Sequence, residues 1–512
     1  MKTGFTIIKQ LIVLCGGFAT TTALGQTIYT WTNSAGGDLA TSANWNPNGV
    51  PNPMNSDVML FDGQSSGPVA ATSNTGGQTS ASGGAWGLNI QLTPNQTNPV
   101  DIYTTDSIST GIRMNNITID AGAGGFSLGN NTLNVLDTIW GGVSGQIHNL
   151  VNNSTNAATI YPNLRMRFGG GGVHTFVFDG TGNWNVTNYL HSVETEMLIV
   201  KQGSGTMFWT GGSVPNAQFG GSVATPVTIS SGTLVLESSN LLNLQAIVIT
   251  NGTLAYNAAG QLQTLSGVIS GNGALMVKAG TLTLSGANTF AGTYTVSGGA
   301  LFINNNDVAT STTVNAGMFG GTGALSGPVT LAAGATLAPG AAAGSVGTLT
   351  ISNNLSIGGN VAIEINKSLS PSNDFVVVTG ALTNTGTGTL TVANLGPALA
   401  VGDTFTLFSQ PLQNGAAVSV TGASANWVNH LAVDGSITVG SLIVPPALTF
   451  TQNGRSIQFS WSGNFKLQAQ TNSLNMGIGN GWADYPGGGT SPATVQVDAA
   501  NATVFFRLVS VP

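Results

Sequence analysis

A short unit returns along the middle of this chain, at Gly232-Thr233-Leu234, Gly252-Thr253-Leu254, Gly280-Thr281-Leu282, Gly299-Ala300-Leu301 and Gly323-Ala324-Leu325. Its spacings of 20, 28, 19 and 24 residues fall in the period range of solenoids, in which each repeat buries its apolar face only against its neighbours. Within a repeat the residues alternate. Leu282 and Leu284 interleave with Thr281 and Thr283, Tyr294 and Val296 with Thr293 and Thr295, and Leu301 and Ile303 continue the pattern. A period of two sends the apolar set to one face of a strand, and Gly286, Gly292 and Gly298-Gly299 mark the corners between strands. From about residue 106 to 360 almost no window of the sequence carries a helical period. Three short strands per turn, each turn stacked on the next, make an all-β parallel β-helix with one long apolar core.

Composition fits that architecture and excludes others. Seventy-three glycines in 512 residues and only 6% charged side chains are about twice the usual glycine and about a quarter of the usual charge. Stacked coils account for both, because each backbone donor and acceptor is met by the coil above or below. Outward Thr, Ser and Asn then supply solubility, and glycine serves corners where φ turns positive. At 41% hydrophobic the chain has core-forming surface that disordered sequences lack. Its glycines follow no collagen period. Eleven Lys and Arg against 18 Asp and Glu leave no cationic face for nucleic-acid phosphates.

The first residues read as an address. Lys2 and Lys9 precede the apolar stretch Leu11 to Phe18, and Ala23-Leu24-Gly25 places small residues before Gln26, the order of a secretory signal peptide. Residues 1–25 are therefore expected to be removed, with export to the extracellular space or outer cell surface. Cys15, the sole cysteine, lies in this segment, and Leu14 stands where a bacterial lipoprotein signal has a small residue. Loss of Lys2 and Lys9 leaves 9 basic against 18 acidic residues and no cysteine for a disulfide. No later apolar run reaches the ~18 residues of a membrane helix.

Residues 271–304, GNGALMVKAGTLTLSGANTFAGTYTVSGGALFIN, resemble the autotransporter-associated β-strand repeat, also called the passenger-associated transport repeat. The matching positions are Gly273, Leu275, Lys278, Gly280-Thr281-Leu282-Thr283-Leu284, Gly286, Asn288-Thr289-Phe290, Gly292, Thr295-Val296 and Gly299. Ala291-Gly292-Thr293 departs from the family, which usually has two glycines there. Weaker similarity covers Asn116 to Val135 and Gly323 to Ile351. The resemblance implies a bacterial, right-handed β-helical passenger at or beyond the cell surface, and no single activity.

The flanks read as caps around repeats spanning 106–360. Residues 26–105 contain Trp31, Gly37-Asp38, Asn44-Trp45, Pro51, Asp57 and Phe61, similar to the N-terminal region that often precedes such repeats. These aromatics are expected to seal the edge of the first coil, and the competing reading is a platform for sugar rings. Residues 361–443, with Ser372 to Thr383 (SNDFVVVTGALT) and Gly402-Asp403-Thr404-Phe405, resemble the terminal coils and C-cap of passenger-like proteins. There Asp374 and Asp403 read as turn residues. Val444-Pro445-Pro446-Ala447 reads as a linker, since consecutive prolines cannot join a central strand. Residues 448–512 look like a small C-terminal β-sandwich. That tail is too short for an autotransporter's outer-membrane barrel, built from many strands of about ten residues, and the chain closes on Ser510-Val511-Pro512. The expectation is a passenger-like protein without the barrel.

Parallel β-helices also host polysaccharide lyases and glycoside hydrolases, which need clustered carboxylates or a carboxylate with a base. The acids here are scattered, with no Asp-Asp pair. One concentration stands out: Arg165, Arg167, His174, Asp179, His191, Glu194 and Glu196. Converging on one face of adjacent coils, these make an acid/base site. Alternating along their strands, with Leu164, Met166 and Phe168 or Val193 and Thr195 on the other face, they are a solvated ladder, and this is the simpler reading. Gly169 to Gly172 lacks the Asp and tandem copies of a calcium-binding nonapeptide. Four histidines without close spacing offer no zinc site, and the glycine runs adjoin no helix or Lys for a nucleotide. No metal or cofactor is expected. The sequence thus predicts a secreted, non-enzymatic β-helical protein with a structural or adhesive role, its partner an extracellular polysaccharide or matrix polymer. The alternative is a polysaccharide-binding or polysaccharide-degrading β-helix working through residues 160–200.

Overall fold

The computed structural model describes residues 26–63, 69–72, 87–105, 110–129, 136–140, 145–161, 164–168, 173–187, 197–210, 227–239, 242, 246–442, 447–472, 477–496 and 503–511. The expected leader and all of the linker but Ala447 lie outside them. The described residues are almost all strand and turn, with three single-turn 3-10 segments. They form two units, residues 1–282 with 286–293, and residues 283–285 with 294–512.

In the first unit two parallel ladders carry the core. Along one, Met59, Ile90, Ile117, Leu150, Phe178, Lys201, Ile229 and Ile249 lie in register from coil to coil. Along the other the column is Val69, Val100, Phe126, Ala158, Trp184, Met207, Leu234 and Leu254. Every member of both columns is buried. Volumes alternate along the stack, as where Ala158 sits beside Trp184, the complementarity that close packing calls for. The all-β, parallel, coil-on-coil architecture agrees with the repeat spacing.

Parallel pairing begins well before residue 106. The strand Ile28–Trp31 pairs parallel with Val58–Phe61 and antiparallel with Trp45–Asn46. Trp31, Trp45 and Phe61 are at most 2% exposed. The two indoles meet edge to face at 4.9 Å, and Phe61 lies 6.0 and 6.3 Å from them. The sugar-platform reading of these aromatics is therefore overturned: their faces are spent on one another inside the first coils.

Glycine has a second use beyond turns. Gly182, Gly205, Gly232, Gly252, Gly273 and Gly292 lie one above another at a corner of successive coils. A Cβ on Gly205 would come 2.0 Å from the Gly182 carbonyl oxygen, one on Gly273 2.5 Å from that of Gly252, and one on Gly292 2.1 Å from that of Gly273. The close approach lets the corner hydrogen bonds form. Thr253 N donates to Gly232 O at 2.9 Å, Ala274 N to Gly252 O at 3.0 Å and Thr293 N to Gly273 O at 3.1 Å. Gly232 also has φ of +65°, where a side chain is strained.

The second unit builds three ladders. One joins Ser311–Val314, Val329–Leu331, Leu355–Ile357 and Leu382–Asn384. Another joins Ala300–Ile303, Gly317–Gly321, Ala335–Pro339, Asn360–Ile365, Thr389–Asn394 and Ser419–Gly422. The third joins Ala324–Leu325, Thr348–Ile351 and Phe375–Val378. Antiparallel pairing begins before residue 447, where Ser436–Leu442 lies between Thr404–Thr406 and Ala425–His430, and it continues beyond. Thr449–Asn453, Ser456–Ser460 and Ala493–Gln496 form one three-stranded sheet, and Ala483–Asp484, Phe465–Thr471 and Val504–Ser510 another. Phe459 and Trp461 from the first sheet's side and Leu467 from the second share a buried cluster with Ala493 and Val495.

The corner ladder sets an expectation. Gly273→Ala forces a Cβ onto a backbone oxygen and is expected to cost about 1–3 kcal/mol, the range of overpacked sites. Gly489→Ala, where a Cβ meets nothing within 4 Å, is expected to stay within about 0.5 kcal/mol of the parent. Urea unfolding of the two variants beside the parent measures both.

Candidate functional site

Of the concentration of charge at residues 160–200, His174 and Asp179 are described in full, and they do not share a face. His174 opens the strand His174–Asp179 and is fully buried, while Asp179 closes it, half-buried. The strand's alternation points His174, Phe176 and Phe178 inward and Asp179 to the other face. Asp179 accepts from Gly180 N at 2.6 Å and from Gln202 Nε2 at 2.8 Å. Arg165 and Arg167 lie on Leu164–Phe168, in register with Asp137 and Ile139 of the neighbouring strand. His191, Glu194 and Glu196 fall outside the described residues. Among the described residues, no group of three or more His, Cys, Asp or Glu is placed to hold a metal.

The structure brings His174 to a partner the sequence reading missed. His148 Nε2 and His174 Nδ1 are 3.0 Å apart, and the rings stack with centroids 5.3 Å apart and planes 6° from parallel. His148 Nδ1 lies 3.0 Å from the Asn115 carbonyl oxygen. A carbonyl only accepts, so His148 Nδ1 carries the proton, its Nε2 accepts, and His174 Nδ1 donates to it. Trp140 and Phe176 pack edge-on and tilted against the His148 ring at 5.4 and 4.9 Å. Burial pushes His148 down to about 4, with the neighbouring His174 adding to the fall and the Asn115 bond opposing it. Burial lowers His174 as well. The pair is neutral, and its chemistry is that of a core hydrogen bond.

Lys201 is a further ionisable side chain drawn into this unit. It occupies the apolar column between Phe178 and Ile229 and is 1% exposed. Its Nζ donates to the carbonyls of Gln202 and, at 3.1 Å, Gly203. Burial lowers it to about 8, and Asp179 partly holds it up. The signal for the histidine pair was available. Residues 148 and 174 are 26 apart in the chain, which is one coil, so in a solenoid the coil period is the spacing that brings ligands together.

Ordered polar chemistry lies on the outside instead. In the second unit Thr313, Thr330, Ser356 and Thr383 occupy one outward column in register, and Gln413 extends it. Thr383 donates to Gln413 Oε1 at 3.0 Å. A second column, Thr336, Asn360, Thr389 and Ser419, runs along the next ladder, with Asn360 Oδ1 accepting from Thr389 N at 3.0 Å. In the first unit Asn89, Asn116 and Asn149 make an amide ladder, Asn116 Nδ2 donating to Asn89 Oδ1 at 2.8 Å and Asn149 N to Asn116 Oδ1 at 2.9 Å. These groups recur every coil, about 4.8 Å apart.

Comparison with known proteins yields a distant likeness. No family model matches the chain, and no solved structure matches it. The chain is similar to the adhesin BmaC autotransporter of Brucella suis biovar 1 (strain 1330), 28% identical over 339 residues. The match covers 64% of this chain and 9% of that protein, so the chain spans a small part of its relative's length. No helix among the described residues is long and apolar enough to cross a membrane.

The histidine pair is expected to make the first unit acid-labile. Between about pH 6.5 and about 4 the unfolded chain takes up protons that folded His148 refuses, so stability is complete above the upper limit and falls as pH drops. His148 alone is expected to contribute a loss of about 3 kcal/mol across that window. Proton NMR of the imidazole resonances, with melts at each pH, checks the value and the direction.

Proposed function

We propose that this chain is an exported, adhesin-like scaffold: a right-handed parallel β-helix, capped at its ends, that attaches to extracellular polysaccharide or matrix polymer through its outward ladders and carries no catalytic chemistry. The observation that carries the reading is the register-locked column Thr313, Thr330, Ser356 and Thr383. Hydroxyls fixed at the coil spacing face a polymer whose own hydroxyls also recur at fixed intervals. Each contact is weak, about 0.5–1.5 kcal/mol for a hydrogen bond, and many along one strand sum to retention. The likeness to an autotransporter adhesin, the leader-like first 25 residues and the repeat at 271–304 support the surface location. The residues past 447 act as a small sandwich module in this reading. His174 facing the core and Asp179 facing away speak against a hydrolytic site at 160–200.

The test is retention of residues 26–512 on insoluble polysaccharides, with soluble polymers as competitors. Thr330→Glu with Thr383→Glu places charge in the column without entering the core, and binding is expected to weaken at least about tenfold, some 1.4 kcal/mol. Release of reducing ends or unsaturated products, abolished by His174→Ala or Glu194→Ala, would show an enzyme and overturn the reading.

A further inference from the structure

A pair of buried carboxyls in the second unit has a role that adhesion does not explain. Asp374 is fully buried and Glu364 7% exposed. The chain between them closes on itself, with Ile365 bridged antiparallel to Asn373 and Asn366 N donating to Ser372 O at 2.6 Å. Asp374 is the hub. Its Oδ1 accepts from Gly347 N at 2.7 Å and its Oδ2 from Glu364 N at 2.7 Å, while its own N donates to Glu364 O at 2.8 Å. Asn373 beside it donates from Nδ2 to Thr406 O at 2.7 Å. Three segments therefore meet at one carboxyl.

The Glu364 side chain reaches the Asp374 carboxyl as a hydrogen-bond partner, yet Glu364 Oε2 is buried with no donor of its own. No cation answers the pair. The strands Thr348–Ile351, Phe375–Val378, Thr389–Asn394 and Thr404–Thr406 that pack around it bear no charged side chain. Lys367 and Asp403 nearby are committed to each other at 2.7 Å. Two ionised carboxylates cannot be buried side by side without a counter-charge.

We propose that Glu364 and Asp374 share a single proton, and that this proton is the catch of a clasp joining Gly347, the Asn360–Ile365 strand and the Asn373 turn. Burial first, and then the bond to Glu364, push Asp374 up to about 9. The folded chain thus keeps a proton that the unfolded chain gives up near pH 4, so the clasp is firm in acid and loosens as pH rises toward 9.

The experiment is thermal unfolding of residues 26–512 between pH 7 and 9, above the histidine window, for the parent and Glu364→Gln. The parent's melting temperature is expected to fall by several degrees over that range. The variant, whose amide donates to an ionised Asp374, is expected to stay level and to melt above the parent at pH 9. Parallel curves for the two would overturn the proposal. Infrared spectra of the parent alone are independent of how the variant folds: a buried protonated-carboxyl band at pH 7 that disappears near pH 9 supports the shared proton, and its absence at pH 7 refutes it. If calcium raises the parent's melting temperature but not the variant's, the pair is a cation site and the proposal fails.

Discussion

The backbone hydrogen bond between one coil and the next is the interaction on which everything else in this chain rests. A buried N–H or C=O left unpaired costs more than most side-chain contacts return, and in stacked parallel coils every such group finds its partner one turn away. The condition is close approach at the corners. Gly205, Gly232, Gly252, Gly273 and Gly292 meet it by having no side chain at all, so that a carbonyl of one coil can sit where a Cβ of the next would be. The high glycine content is a packing requirement of that corner as much as a conformational one. The low charge follows from the same bonds, because a core closed by its own backbone has no use for ion pairs.

This logic also separates what could be read from the sequence from what could not. Alternation at Leu282, Leu284, Tyr294, Val296, Leu301 and Ile303 is a local property, and all six are buried as the pattern requires. The Gly-Thr-Leu spacing disclosed the solenoid because the period is written in the chain. The exits from that pattern were less visible. Lys201 ends a strand that looks apolar, and nothing local says that its ammonium turns to the carbonyls of Gln202 and Gly203 rather than to water. His148 and His174 look unrelated until the coil length is known. Trp31 and Trp45 were readable as surface or core, and only the antiparallel pairing of their two strands settles them inside. Asp374 read as a turn residue. It lies instead just before the strand Phe375–Val378, and burial beside Glu364, which lies ten residues earlier across a closed loop, gives it a titration that no exposed turn residue has.

Two polar insertions into apolar stacks thus answer protons in opposite senses. The imidazole pair in the first unit is neutral when folded, so acid favours its unfolded, charged form. The carboxyl pair in the second, with one proton held between two carboxyls as proposed, carries one negative charge fewer folded than unfolded, so base favours its unfolded form. Both follow from one rule: where there is no counter-ion, burial disfavours the more highly charged state. A chain with little charge has few ion pairs to lend, which is why both sites solve the problem with protons and backbone groups.

The same rule shapes what the surface can do. Catalysis by acid and base needs charged groups held together and exposed to substrate, whereas the described structure turns His174 into the core and spends Asp179 on Gly180 and Gln202. Hydroxyl and amide groups in registered columns lie on the outside. Such columns are spaced by the coil-to-coil hydrogen bond itself, so the spacing cannot drift without unfolding the core. A side chain on a loop would lose conformational entropy each time it met a partner. One on a ladder strand has lost most of it already, in folding. A stack of coils is therefore a way of turning many individually weak polar contacts into a rigid, repeating array, which is the property the proposed attachment to a polymer draws on.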